Sequence, residues 1–197
     1  TLFILTMEKK ATSESKGEMS PMFIRNIVFK FKLSSPVDRA TVFGTIFTSD
    51  DNLTILVASP VKATFLLFKD NMGIISGCRS QEDAHIAIWA FCDKLTNALV
   101  AQGQARISPI DITKTNTQAV SYYPFMLDLE RLASHFPYAT YLPTPTQRVR
   151  INCNSVSCVV FKSGTIVWMG KDHLFRVFLS MIFPTLCVCR TISLLQE

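Results

Sequence analysis

Phe68-Lys69-Asp70-Asn71-Met72-Gly73-Ile74-Ile75-Ser76-Gly77 and Phe161-Lys162-Ser163-Gly164-Thr165-Ile166-Val167-Trp168-Met169-Gly170 are two versions of one ten-residue frame. They start 93 residues apart in a chain of 197, about half its length. Each follows an apolar run, Phe65-Leu66-Leu67 or Cys158-Val159-Val160, and each precedes a segment with helical patterning. Self-similarity at a fixed period governs architecture before any local detail does. Two copies at so long a period argue against a solenoid and for one α+β unit used twice, with pseudo-twofold symmetry.

Outward from the first copy, Ile24–Leu33 reads as a strand in which Ile27, Phe29 and Phe31 alternate with Asn26, Val28, Lys30 and Lys32. Asp38 is placed to cap a short helix over Arg39–Phe47. Leu53–Ala58 and Ala63–Phe68 read as strands joined at Ser59-Pro60, with a further strand at Gly73–Gly77. Ser80 starts a helix to about Gly103, with Ile86, Trp89, Ala90 and Leu95 at helical spacing. The second half repeats this order: a strand at Arg106–Thr113, a helix at Pro124–Phe136, and a proline-rich loop at Tyr138–Gln147. Strands follow at Arg148–Asn152, Val156–Phe161 and Thr165–Gly170, and a buried closing helix begins at Asp172. The expected organisation is a lead-in over 1–20, a first repeat over 21–103 and a second over 104–197.

A hydrophobic fraction of 48% is ample for a core. Leu2–Leu5 is too short for a signal-peptide apolar region, and a chain opening on Thr1 reads as a fragment. The apolar stretch Leu174–Cys189 is interrupted by Arg176 and Pro184 and is shorter than the ~20 residues of a membrane span. Net charge is +5, a mild basic bias that permits a nucleic-acid partner. Six cysteines show no CxxC pair and no nearby histidine couple, so they read as core thiols, and no metal or other cofactor is expected. No Gly-rich phosphate loop, carboxylate pair or nucleophile–histidine arrangement is evident, so the chain reads as a non-enzyme. Trp89 and Trp168 read as core residues.

Two such units make one antiparallel sheet with helices on one face, leaving the other face open. Strand parity puts Phe65 and Leu67 on one side and Leu66 and Phe68 on the other. An open sheet face with phenylalanine and leucine, rimmed by lysine, marks a binding surface.

These residues together resemble the TATA-box-binding protein family, over about residues 22–190. Ile24-Arg25-Asn26-Ile27-Val28 is similar to the family's Gln-Asn-Ile-Val opening. Pro60 through Gly77 resembles its Glu-Pro…Leu-Ile-Phe-Ser-Ser-Gly-Lys…Thr-Gly segment, and Phe161–Gly170 resembles the same segment of the second repeat. Phe183-Pro184-Thr185-Leu186 stands where the family has Tyr-Pro-Ile-Leu. The resemblance implies a saddle-shaped curved antiparallel sheet with helices on the convex face. Its concave face would bind the minor groove of A/T-rich double-stranded promoter DNA and bend it with phenylalanine wedges, the binding mode for which this family is the standing example.

Carried over by position, Phe68 and Phe161 fall on wedges. Asn26, Val28, Leu66, Ser76 and Val159 fall on base-edge and floor positions, as does Met169 in place of a threonine. The second-repeat asparagine falls near Pro109. The other wedge pair falls near Asp50–Asn52 and Pro143–Pro145, where no phenylalanine stands; Phe47 and Phe136 are nearby. Lys30, Lys32, Lys62, Lys69, Arg79, Arg148, Arg150, Lys162 and Lys171 serve either as phosphate contacts or as ordinary solvated charges.

The implied role is a nuclear promoter factor that nucleates a preinitiation complex with RNA polymerase and TFIIB-like initiation factors. Such divergence is typical of the family's relatives in large DNA viruses, including those at herpesvirus late promoters. The alternatives are a scaffold of the same fold acting through protein contacts, and an apolar-ligand module.

Overall fold

The computed structural model describes residues 18–37, 47–49, 52–57, 59–68, 70–101, 103 and 105–191. The first half carries β1 (Phe23–Leu33), β2 (Phe47–Ser49), β3 (Asn52–Val57), β4 (Ala63–Leu67), β5 (Met72–Cys78) and α1 (Gln81–Val100). The second carries β6 (Pro109–Tyr122), α2 (Leu129–Ser134), β7 (Ala139–Leu142), β8 (Arg148–Cys153), β9 (Val156–Phe161) and β10 (Thr165–Gly170). A 3-10 turn (Asp172–Leu174) then leads into α3 (Phe175–Val188). The ten strands form a single antiparallel sheet in the order β2-β3-β4-β5-β1-β6-β10-β9-β8-β7.

That order reads alike from both edges, and the central β1–β6 ladder has a twofold of its own. Ile27 pairs with Thr117; one step out, Asn26 faces Gln118 as Asn116 faces Val28. Further out, Ile24↔Ala119 mirrors Lys114↔Phe29, and Phe23↔Val120 mirrors Thr113↔Lys30. The dyad thus mates Asn26 with Asn116, Val28 with Gln118, and Lys30 with Val120. Register shifts along β1 mark bulges, which bend the strands they occur in.

The alternation expected for β1 and β4 is present. Ile27, Phe29, Phe31, Phe65, Leu67 and Ile75 turn inward beneath α1, where Phe65 stacks on Phe91 at a centroid distance of 4.4 Å. A second core holds Val149, Ile151, Cys158, Val160, Ile166 and Trp168 with Phe175, Phe178 and Ile182 of α3. The two cores exchange side chains from the segments that lead into the central strands. Met19 and Met22, just ahead of β1, pack on the second core, while Ile107 and Ile112, at and after the entry to β6, pack on the first.

Ser80 caps α1, its hydroxyl accepting from the Asp83 N–H at 2.9 Å. The buried stripe of α1 is Ala84, Ala87, Ile88, Phe91, Cys92, Leu95 and Leu99, so Ile86 and Trp89 face solvent, against expectation. Trp89 has the helical spacing of a core residue but lies on the wrong side of a stripe that smaller residues complete. α2 is shorter than Pro124–Phe136, because Asp128 starts it by accepting from the Arg131 N–H at 3.0 Å. The expected proline-rich loop contains edge strand β7. β6 runs well beyond Thr113, through the polar run that ends at Gln118. α3 is buried on one side only: Val177, Met181 and Val188 are exposed. No described helix is long and apolar enough to cross a membrane. The helix expected over Arg39–Phe47 lies outside the described residues, except Phe47 itself, which begins β2.

All six thiols are free. Burial pushes Cys158 up to about 12, and burial, aided by the Asp93 carboxylate, does the same to Cys92. A folded value raised above the unfolded 9.0 stabilises fully below pH 9 and is lost as pH climbs toward about 12. Urea midpoints should therefore fall across that window, less steeply in Cys92→Ala and Cys158→Ala; an unchanged slope in both variants would refute the assignment.

Candidate nucleic-acid interface

The face of the sheet away from the helices is built by the residues that strand parity sends there. Asn26 and Val28 from β1, Leu66 from β4, Ile74 and Ser76 from β5 are half-buried, and Lys30 and Lys32 are exposed. The other half contributes Asn116 and Gln118 from β6, Val159 and Phe161 from β9, and Val167 and Met169 from β10. Ladder pairing lines these up across the sheet. One row is Asn152, Ser157, Met169, Gln118 and Asn26; another is Arg150, Val159, Val167 and Val120.

Phe68 and Phe161 occupy matching places at the ends of the two hairpins. The Phe68 N–H donates to the Met72 carbonyl at 2.8 Å, and the Phe161 carbonyl accepts from the Gly164 N–H at 2.9 Å. Each turn is thereby closed with its phenylalanine half-exposed on the open face. Gly164 has a positive φ of 83°, and a Cβ there would run into the Tyr123 and Phe125 carbonyl oxygens, so the tight second turn requires glycine.

Asn26 is oriented from the neighbouring strand β5: its Oδ1 accepts from the Gly77 N–H at 2.7 Å. With its acceptor thus engaged, the carboxamide keeps Nδ2, a donor, as its remaining polar group. The dyad corrects the expected second-repeat position. The mate of Asn26 is Asn116, not Pro109, which is buried at the far end of β6 opposite Leu33. Asn116 shares an open polar depression of ≈ 260 Å³ with Arg150, Asn152, Ser157 and Met169. The Arg150 Nε–H donates to Asn152 Oδ1 at 3.1 Å. Sequence reasoning missed Asn116 because the distance from asparagine to frame-closing glycine is three residues longer in the second half. The signal was Thr115-Asn116-Thr117, found by sliding the strand separately from the hairpin.

Of the basic residues, Lys30 and Lys32 stand on β1, and Arg148 and Arg150 on outer strand β8. Lys62 precedes β4, Arg79 follows β5 and Lys171 follows β10, all exposed. Lys162 lies in the second hairpin turn, in a cavity it shares with Asp128 and Glu130. Lys69 lies outside the described residues. Lys114, beside Asn116, is committed elsewhere: its Nζ lies 2.7 Å from Asp172. Burial raises the Asp172 carboxyl, but Lys114 and the His173 N–H outweigh it and hold the group below the usual carboxylate range.

Near the second expected wedge pair, Asp50 and Asp51 lie outside the described residues, and Pro143 and Pro145 are exposed between β7 and β8. Phe136 is half-buried and packs on the second core. Among the described residues no group of three histidine, cysteine or acidic side chains stands close enough to hold a metal.

No family model matches this chain, and no curated protein matches it. Among solved structures it is similar to the TBP of Methanococcus jannaschii, at 21% identity and a TM-score of 0.68, over 85% of this chain and 98% of that one. At that identity the likeness speaks for architecture, and it agrees with the mirrored strand order and the helices on one face. The chain therefore has the TBP fold: a saddle of two pseudo-symmetric α+β repeats with an open concave sheet.

Proposed function

We propose that the concave face binds A/T-rich duplex DNA in the minor groove, at a core promoter element. The observation that carries this reading is the dyad-mated pair Asn26 and Asn116, set among Val28, Leu66, Ile74, Val159 and Val167 on an open sheet face. A·T pairs show only acceptors in that groove, so amide donors among apolar side chains select them over G·C. Phe68 and Phe161 supply apolar wedges at both ends of the face, a device that kinks the duplex toward the major groove. Lys30, Lys32, Arg148 and Arg150 supply phosphate contacts along it. On this reading the bent complex is the platform on which RNA polymerase and TFIIB-like initiation factors assemble in a nucleus, and no catalytic step is required.

Fluorescence-anisotropy titrations with A/T-rich duplexes at several salt concentrations test the proposal. Affinity should fall with salt at a log–log slope of about −0.9 for each phosphate neutralised, and Lys30→Ala should reduce that slope by about one unit. Absence of binding at micromolar protein in low salt would overturn it.

A further inference from the structure

Of the unlike residues that the dyad mates, one pair stands at the centre of the open face. Gln118 is the mate of Val28, and it lies between Asn26 and Met169 in a row across the middle of the concave face. Its side chain is half-buried and has no hydrogen-bond partner among the described residues. A valine offers the groove only a methyl surface; a glutamine offers one acceptor and two donor hydrogens on a chain long enough to turn.

The difference matters for one base pair. In the minor groove, G·C differs from A·T by the guanine N2 amino group, a donor that protrudes into the groove. The Val28 side chain itself offers that amino group no acceptor, and burying it unpaired is unfavourable. Beneath Gln118 it meets Oε1, while an A·T pair at the same place meets the Nε2–H donors.

We propose that Gln118 makes the saddle directional, accepting G·C beside the central step on its own side while the Val28 side demands A·T. This rests on the minor-groove reading above. The near-symmetric face would then choose one of its two orientations on a promoter from the position of a single G·C pair.

Three A/T-rich duplexes test this: one with no G·C pair, one with a single pair beside the centre, and one with a pair on each side. Each is repeated with inosine, which lacks the N2 amino group, in place of guanine. The wild-type chain turns to place Gln118 over a single G·C, so that duplex should bind within about twofold of the A/T parent, whereas the doubly substituted one loses about tenfold. For Gln118→Val the single G·C already costs about tenfold, and inosine restores every loss. The variant is expected to fold, since valine already stands at the mated position.

Equal responses of wild type and Gln118→Val, or losses that inosine does not relieve, would overturn the directional role while leaving A/T binding intact. Failure to bind even the A/T parent would remove the minor-groove reading itself, and this inference with it.

Discussion

Trp168→Ala is expected to lower the unfolding free energy by about 3–5 kcal/mol, a large share of the 5–15 kcal/mol of a typical domain. Trp168 is fully buried, packs against Phe175 and Phe178 with ring centroids 6.1 Å away, and donates its indole N–H to Ser121 Oγ at 2.8 Å. Truncation removes the aromatic volume and strands the Ser121 hydroxyl, which is itself buried. Two penalties therefore combine, a cavity and an unpaired polar group. Trp89→Ala is the internal contrast: at 51% exposure it should cost less than about 1 kcal/mol. Urea unfolding followed by circular dichroism separates the two, and equal losses would contradict the placement of both rings.

Phe68→Ala combined with Phe161→Ala is expected to weaken A/T-rich duplex binding about a hundredfold and to reduce the bend, as read by the mobility of circularly permuted probes. A wedge that unstacks a base step allows more surface to engage, so removing both loses more than their contact area. Both rings are only half-buried, so the melting temperature should move little and the loss should be one of binding. If affinity and promoter occupancy stay unchanged, the concave face is not the DNA contact, and a scaffold acting through protein partners becomes the better reading.

Much of this architecture is legible in the residues because the two faces of a half-covered sheet obey different chemistry. Phe65 and Leu67 alternate with Leu66 and Phe68, and Ile27, Phe29 and Phe31 with Asn26, Val28 and Lys30, as a strand buried on one side requires. The Ser80 cap was legible because its hydroxyl acts locally.

What escaped has physical causes too. The apolar strand pattern fades after Thr113, but β1 pairs with the polar run that follows and β10 joins from Thr117 onward, so the ladder holds a strand there whatever the side chains are. The polar side chains that disguise the strand are the ones the concave face displays. Trp89 misled because spacing identifies a helix face and cannot say which face is inside. The Asn116 assignment needed the ladder, since only cross-strand pairing reveals where the dyad passes.

The exchange of Met19 and Met22 for Ile107 and Ile112 bears on the covalent linkage between the halves. Each core is completed by an arm from the opposite half, as in a domain-swapped dimer. The connection between α1 and β6 then acts as a tether. It sets the effective concentration at which one half meets the other, and the cohesion itself resides in the central ladder and the crossed arms. One chain thus carries the mechanics of two associating subunits, and the join leaves their sequences free to diverge, as Val28 and Gln118 have done.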